Sequence, residues 1–430
     1  MLAARNLLQR IYLEALESVR GERLIEALGR PSGDCWRLGD IDWPLPQDGR
    51  LIVVGAGKAA GSLATGLEAA LGDRIDDGCI IVKRGHREAL GQIRQFEAGH
   101  PIPDEAGALA TEELLRTISG LTPRDSVVVV VTGGASALMV APIEGVTLAE
   151  KAATTDLLLR SGASIEEINA VRKRLSRVKG GRLLDHIGAA SVLTLLLSDV
   201  PSGDYGAVGS GPTIPPREGD CADPLAIFAK YGIERLVRPS MLRRLTEPGA
   251  TPPARSHRRE AMLLLADSAA LVRAVHSVAQ REGLEVRDVN PTMTGNTHDA
   301  ARSMVAALRA TSPSRRPALF VSAGETTLKV TGDGRGGRNQ EFALVSALSL
   351  AGVPDVVLLA AGTDGTDGPT DAAGAFADGS LAGRASAAGL DPARMLARND
   401  SYGLFERTGD LFRTGPTGTN VMDLVLGLAF

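Results

Sequence analysis

Short runs of consecutive apolar residues recur along the chain. Between them, apolar positions return every three or four residues. LIVV (51–54), CIIVK (79–83), SVVVVV (126–131) and SVLTLLLSDV (191–200) are the main runs of the first half, with RQFEAG (94–99) as a further strand-like piece. Uninterrupted apolar strands separated by helical patterns predict a parallel sheet covered by helices on both faces. The segment TEPGATPPARSHRRE (246–260) breaks the pattern with proline, arginine and small residues, and reads as a linker. The alternation restarts in AMLLLADSAALVRAV, PALFVSAGETTLKV, EFALVSALSL and VVLLAAGTDG, which predicts a second α/β lobe. The expected division is 1–247, a linker at 248–260, and 261–430. A cleft between two such lobes is the expected place for a small ligand.

Length supports this division, because 430 residues exceed what one hydrophobic core usually serves. The opening MLAARNLLQRIYLEALESVRGERLIEAL reads as an amphipathic helix, and Glu14 and Glu17 interrupt any signal or transit pattern. No apolar run approaches the roughly 20 residues of a membrane span. Aromatic residues make up 3% of the chain and the formal net charge is −4, so neither a nucleic acid nor a membrane surface is an expected partner. Cys35, Cys79 and Cys221 are too scattered for a disulfide framework or a zinc site. A cytoplasmic protein is expected, with a homo-oligomer left open.

The chemistry gathers at glycine-rich turns. Gly55-x-Gly57-x-x-Ala60 fits the loose dinucleotide fingerprint, yet the second strand ends in Lys83-Arg84 where that fingerprint needs an acid. The spacing of a P-loop is not met either. What remains is a helix start with open backbone amides and Lys58 beside them, an arrangement suited to an anion. A solvated lysine is the plain alternative, but a lysine there opposes the helix dipole. In TGGASALM (132–139), Gly133 and Gly134 permit close backbone approach, and Ser136 either caps a helix or meets a ligand oxygen. SDVPSGDYGAVGSGPT (198–213) places Asp199 at a strand end and Ser210 in a turn. INAVRKRLSRVKGGRLL (168–184) reads as one basic helix with Arg172, Ser176 and Lys179 on a shared face. Most of its charges read as solvated, and Lys179 is the candidate for a site. His100, in the proline-stiffened AGHPIPDEAG, is either a substrate contact or a structural loop residue.

The second half supplies a complementary set. GDGRGGRNQE (332–341) opens a helix with Arg338, whose planar fork matches phosphate or carboxylate. GTDGTDGPTDAAG (362–374) holds Asp364, Asp367 and Asp371 in one loop; the candidates for Mg²⁺ are Asp364 and Asp367. Glu325, Asn339, Thr417 and Asn420 are candidate nucleotide contacts. Cationic sites in both halves with a carboxylate loop form the equipment of phosphoryl transfer.

These motifs, in this order and over nearly the whole chain, resemble the glycerate 2-kinases of the second bacterial and archaeal class, whose C-terminal lobe is called the MOFRL domain. The resemblance rests on VVGAGKAAG, AGHPIPDEAG, TGGASALM, INAVRKRLSRVKGGRL, LLLSDVPSGDYGAVGSGPT, GRGGRNQE, AGTDGTDGPTDAAGAFAD, NDSY and TGPTGTNVMDL. It implies a Rossmann-like N-terminal domain and an α/β MOFRL domain, with ATP and Mg²⁺ used to phosphorylate D-glycerate at its 2-hydroxyl. The family's active-site lysine looks like Lys58 and its MOFRL arginine like Arg338. With the resemblance, Lys58, Gly57, Gly133, Gly134, Ser136, Lys179 and Ser210 are expected to hold substrate or phosphoryl group, and Asp199 to take the proton. The chain departs from the family around TMTGNTHDAAR (292–302), where Gly-Glu-Ala-Arg is expected, and at Met422, where Asn is commoner. Two other readings compete: an NAD(P)H-dependent hydroxypyruvate reductase, and a two-lobed small-acid-binding protein without catalysis.

Overall fold

A computed structural model describes residues 1–201, 203–216, 222–246 and 258–430. The chain divides into two units, each built on a six-stranded sheet. The central unit comprises Leu24–Ser198 and Asp204–Leu265. The terminal unit comprises Met1–Arg23, Asp199–Gly203 and Ala266–Phe430. Most of the expected linker, residues 248–257, lies outside the described residues, as does Cys221.

The central unit has a hairpin near its start, β1 (Cys35–Leu38) and β2 (Ile41–Pro44), in which buried Trp36 and Trp43 stand opposite each other. Its main sheet holds β3 (Leu51–Ala56), β4 (Asp77–Lys83), β5 (Arg94–Ala98), β6 (Ser126–Val131), β7 (Ser191–Leu197) and β8 (Glu260–Ala266) in the order β5-β4-β3-β6-β7-β8. The pairs β5–β4, β4–β3, β3–β6 and β6–β7 are parallel. Every residue of β3 and β6 is buried, as their unbroken apolar runs require. The strand order runs outward one way from β3 and then returns to its other side at β6. That reversal is the topological switch point of a doubly wound sheet, where ligands bind beyond the strands' carboxyl ends. AMLLLA, expected to open the second lobe, lies in β8 at the edge of this first sheet.

The terminal unit's sheet is mixed. β9 (Glu285–Met293), β10 (Ala318–Gly324), β11 (Val356–Gly362), β12 (Gly374–Asp378), β13 (Leu411–Phe412) and β14 (Asp423–Ala429) take the order β13-β12-β11-β14-β10-β9. Only β9–β10 is parallel. β14 lies antiparallel between β10 and β11, so its first residue, Asp423, pairs with the last residues of both, Gly324 and Gly362. The helix Leu2–Ser18 belongs to this unit. It buries Leu8, Ile11 and Tyr12, and the Tyr12 hydroxyl donates to the Gly362 carbonyl at 3.0 Å. Among the described residues no helix is long and apolar enough to cross a membrane.

Candidate active site

Lys58 stands at the end of β3, at the switch point. The turn before it is closed by its neighbours. The Gly57 amide donates to Ile81 O, the Lys58 amide to Gly133 O at 2.9 Å, and the Ala59 amide to Thr132 Oγ1 at 3.2 Å. The amides of the turn itself are therefore taken up by the β4 and β6 ends, the helix Ala60–Leu71 that follows starts without a side-chain cap, and what the turn presents is the lysine side chain. Gly57 is required, because a Cβ there would collide with Thr132, and its φ of +142° disfavours other residues. His100 joins the group: a Cβ at Gly134 would lie 3.1 Å from both His100 Cδ2 and Lys58 Cγ.

Beyond β6 the chain turns on Gly133 and Gly134 into the short helix Ala135–Leu138. Ser136 is not its cap; Gly134 holds that position. The Ser136 hydroxyl instead meets Arg172 Nη2 at 2.6 Å, Lys179 Nζ at 3.0 Å and Ser210 Oγ at 2.8 Å. Lys179 also donates to the carbonyls of Ser136 (2.6 Å) and Met139 (3.4 Å).

Arg172 and Lys179 meet by a different route from the one expected. The basic segment is not one helix over 168–184. The helix Ile165–Arg174 stops after three consecutive cations, Ser176 bridges to Pro142, and Gly180 and Gly181 turn with φ of +61° and +78°. A helical face does not align Arg172 with Lys179; the loop folds Lys179 back onto Ser136. Burial, then the charges of Lys151 and Arg172, push the Lys179 ammonium well below the usual lysine range.

In the terminal unit, Arg338 opens the helix Arg338–Ser349. Its guanidinium grips Asp423 with two bonds, Nε to Oδ2 at 2.5 Å and Nη2 to Oδ1 at 2.9 Å, and meets Glu325 Oε1 at 2.7 Å. Burial works against this charge, but Asp423 and Glu325 outweigh it and raise the Arg338 pKa. The sequence reading missed Asp423, which looks like an ordinary strand residue in DLVLGLA. The signal was an acid leading an otherwise apolar run.

The N-cap of that helix is Gly337, which has no side chain to offer. Asp367 supplies the missing acceptors from the neighbouring loop. Its Oδ1 takes the Asn339 amide at 3.0 Å and its Oδ2 the Gln340 amide at 2.8 Å. A Cβ on Gly337 would run into the Asp367 carboxyl group. Burial raises the Asp367 pKa to about 6, against the opposing pull of the two amides. A carboxyl raised in this way stabilises the fold most below its unfolded pKa, about 3.9, and that contribution fades as pH rises through 6. The loss is about 3 kcal/mol. Asp367→Asn should therefore remove a fall in melting temperature seen between pH 4 and 7 in the wild type. Parallel melting curves across that range for both proteins would show that Asp367 does not titrate there.

The other expected residues are mostly engaged locally. Asn339 donates its side chain to Asp367, Thr417 donates to Thr363 O at 2.5 Å, and Asn420 Nδ2 donates to Asp199 Oδ2 at 3.2 Å. Asp199 and Asn420 are thereby brought together. Asp364 accepts from Thr366 N and Oγ1. Among the described residues, no group of three or more His, Cys, Asp or Glu side chains is placed to hold a metal. Magnesium held chiefly by phosphates and water needs only one or two carboxylates. Asp364 and Asp423 offer that pair: a Cβ at Gly362 would lie 3.4 Å from Asp364 Oδ1 and 3.5 Å from Asp423 Oδ1. These hard oxygen donors fit the ion. Asp367, the other expected ligand, has its oxygens on two helix amides, as Asp423 has its own on Arg338 and Asp364 on Thr366.

Residues 7–246 match the family described as a domain of unknown function (DUF4147), and residues 318–423 match the MOFRL family. The D-glycerate 2-kinase of Thermotoga maritima is 40% identical over 88% of this chain and 90% of that protein. The chain belongs to the MOFRL glycerate kinase family. A crystal structure of glycerate kinase from Thermotoga maritima superposes over the full length of both chains with a TM-score of 0.84 at 36% identity. A protein of Agrobacterium vitis named putative hydroxypyruvate reductase is also 40% identical, over 87% of this chain and 86% of its own. Within this MOFRL kinase, both departures from the family pattern have a physical setting. His298, in TMTGNTHDAAR, bonds buried Glu341 at 2.8 Å, and Asn296 caps its helix. Met422 holds a φ of +73°, a conformation that Asn adopts more readily.

Proposed function

We propose that the protein transfers the γ-phosphoryl group of ATP to the 2-hydroxyl of D-glycerate, giving 2-phosphoglycerate and ADP. The observation that carries this reading is the turn at Gly57, whose amides are taken by Ile81, Gly133 and Thr132 and whose outgoing group is an ammonium. A dinucleotide needs those amides for its pyrophosphate. It also needs an acid for its ribose, where β4 ends in Lys83-Arg84 and Arg84 pairs with Asp104 at 2.5 Å. An anionic substrate needs only the lysine.

In this reading the hydroxyl oxygen forms the new O–P bond and the bond to the leaving ADP oxygen breaks. The hydroxyl proton passes to Asp199, which Asn420 orients. Lys58, the glycine turn at 133–134, Ser136, Lys179 and Ser210 hold the anionic groups. Arg338, with Asp423 and Glu325 behind it, balances charge on the phosphoryl oxygens. Asp364 and Asp423 would hold Mg²⁺, which when bound neutralises phosphate charge. In a loose transition state, such positioning and neutralisation supply most of the rate.

The test is phosphorus NMR of the product formed from D-glycerate and MgATP, beside an assay for NADH oxidation with hydroxypyruvate. The expected outcome is a 2-phosphoglycerate resonance with equimolar ADP and no NADH loss. NADH consumption without ADP would overturn the proposal in favour of the reductase that the Agrobacterium relative's name suggests.

A further inference from the structure

Among the described residues of the central unit, the charges of Lys151, Arg172 and Lys179 act on one another. Lys151, in the helix Leu148–Arg160, is 5% exposed, and its Nζ is buried without a hydrogen-bond partner. The charges acting on it are those of Arg172 and Arg182. Lys179, 1% exposed, feels Lys151 and Arg172. Arg172 donates to Ser136 and Asn169, both neutral. Arg182 donates to the carbonyls of Lys173 and Ser176 at 2.5 and 2.6 Å. Among the described residues, no carboxylate is one of the charges shifting Lys151, Arg172 or Lys179.

The hydroxyls add direction. A serine oxygen accepts two hydrogen bonds and donates one. Arg172 and Lys179 fill both acceptor positions of Ser136 Oγ, so its proton goes to Ser210 Oγ. The hydrogen of Ser210 is then directed away from Ser136. Buried cations are retained when they are paired, and burial with the neighbouring arginines has already pushed the Lys151 ammonium down to about 7.

We propose that Lys151 and Arg172, with Lys179, Ser136 and Ser210, form an oxyanion pocket that takes either the substrate carboxylate or the phosphoryl group. This deepens the kinase reading and rests on it for the identity of the anion. Neither Lys151 nor Arg172 carries a recognisable motif. Arg172 looks like one more solvated charge, and Lys151 like a surface residue of a polar helix.

A structural lysine and an anion-binding lysine give opposite signs on removal. Lys151→Met and Arg172→Gln would be melted in anion-poor buffer. Each would then be titrated with inorganic phosphate, D-glycerate and MgATP separately, at constant ionic strength. Lys151→Met should melt at or above the wild-type temperature, because it removes an uncompensated buried charge. Both variants should lose about tenfold or more in affinity for one of the anions. Loss confined to D-glycerate assigns the pocket to the carboxylate. Loss for phosphate and MgATP assigns it to the phosphoryl group. Unchanged affinity for all three overturns the pocket. A Lys151→Met protein that melts lower or does not fold removes Lys151 from the pocket, since the ammonium then supports the fold itself. Arg172→Gln reads the anion affinity independently in that case. Binding needs no turnover, so these results stand apart from the kinase assay. Active kinase with normal KM and affinity in both variants would sink the pocket alone.

Discussion

Lys58→Ala is expected to lower turnover with D-glycerate and MgATP by about a thousandfold, the scale of losing one well-placed electrostatic donor at a reacting oxyanion. The fold should survive. The local structure depends on backbone bonds from Gly57, Lys58 and Ala59 to Ile81, Gly133 and Thr132, which alanine keeps. The side chain itself is half-buried and makes no part of the apolar core. The comparison is therefore a steady-state rate against a melting curve. A rate near wild type, with an unchanged melt, removes Lys58 from the mechanism. A collapse of both shows that the lysine holds the turn together. Lys58→Arg should recover little, because a wider, planar head replaces a compact point charge.

Arg338→Ala should cost both activity and stability. Asp423 is 1% exposed, and its carboxylate is held by two bonds from this one guanidinium. Removing the arginine leaves that charge buried beside Asp364 without its main partner. Breaking such a pair costs about 3 kcal/mol, the low end of the range for buried pairs, since the guanidinium is partly exposed. Turnover should fall by at least as much as in Lys58→Ala. Arg338→Lys separates the two effects: a lysine can remain near Asp423 but cannot reproduce the fork. Stability should return in part while turnover does not. If Lys58 and Arg338 serve the same transfer, the double alanine variant should lose much less than the product of the two single losses. Fully multiplicative losses would mean that the two residues act in separate steps.

The strands were legible because burial on both faces leaves no polar position to confuse the pattern. LIVV, SVVVVV and VVLLAA sit within the observed strands β3, β6 and β11. The glycine turns were legible too, since Gly57 answers to a backbone approach that no other residue tolerates. Long-range partnerships were hidden. Asp367 reads as one of three acids in a loop, and only the fold shows that it caps a helix whose own N-cap is a glycine. Lys151 follows the capping box of Thr147 and Glu150 in a helix of mixed polarity, where nothing local announces burial. Arg172 and Lys179 were grouped on one face, but through a helix that ends at Arg174. Periodicity assumes that an element continues; the glycines at 180 and 181 needed more weight than the cations before them.

The helix Leu2–Ser18 lies in the same unit as β14, the strand made last, while nearly all of the chain between Leu24 and Leu265 builds the other unit. During synthesis the central sheet has every strand it needs well before the terminal one does. The early helix, with Leu8, Ile11 and Tyr12 on its apolar side, must wait on the ribosome for a surface not yet translated. Nascent chains of this protein should thus pass through a period in which an amphipathic segment is unshielded.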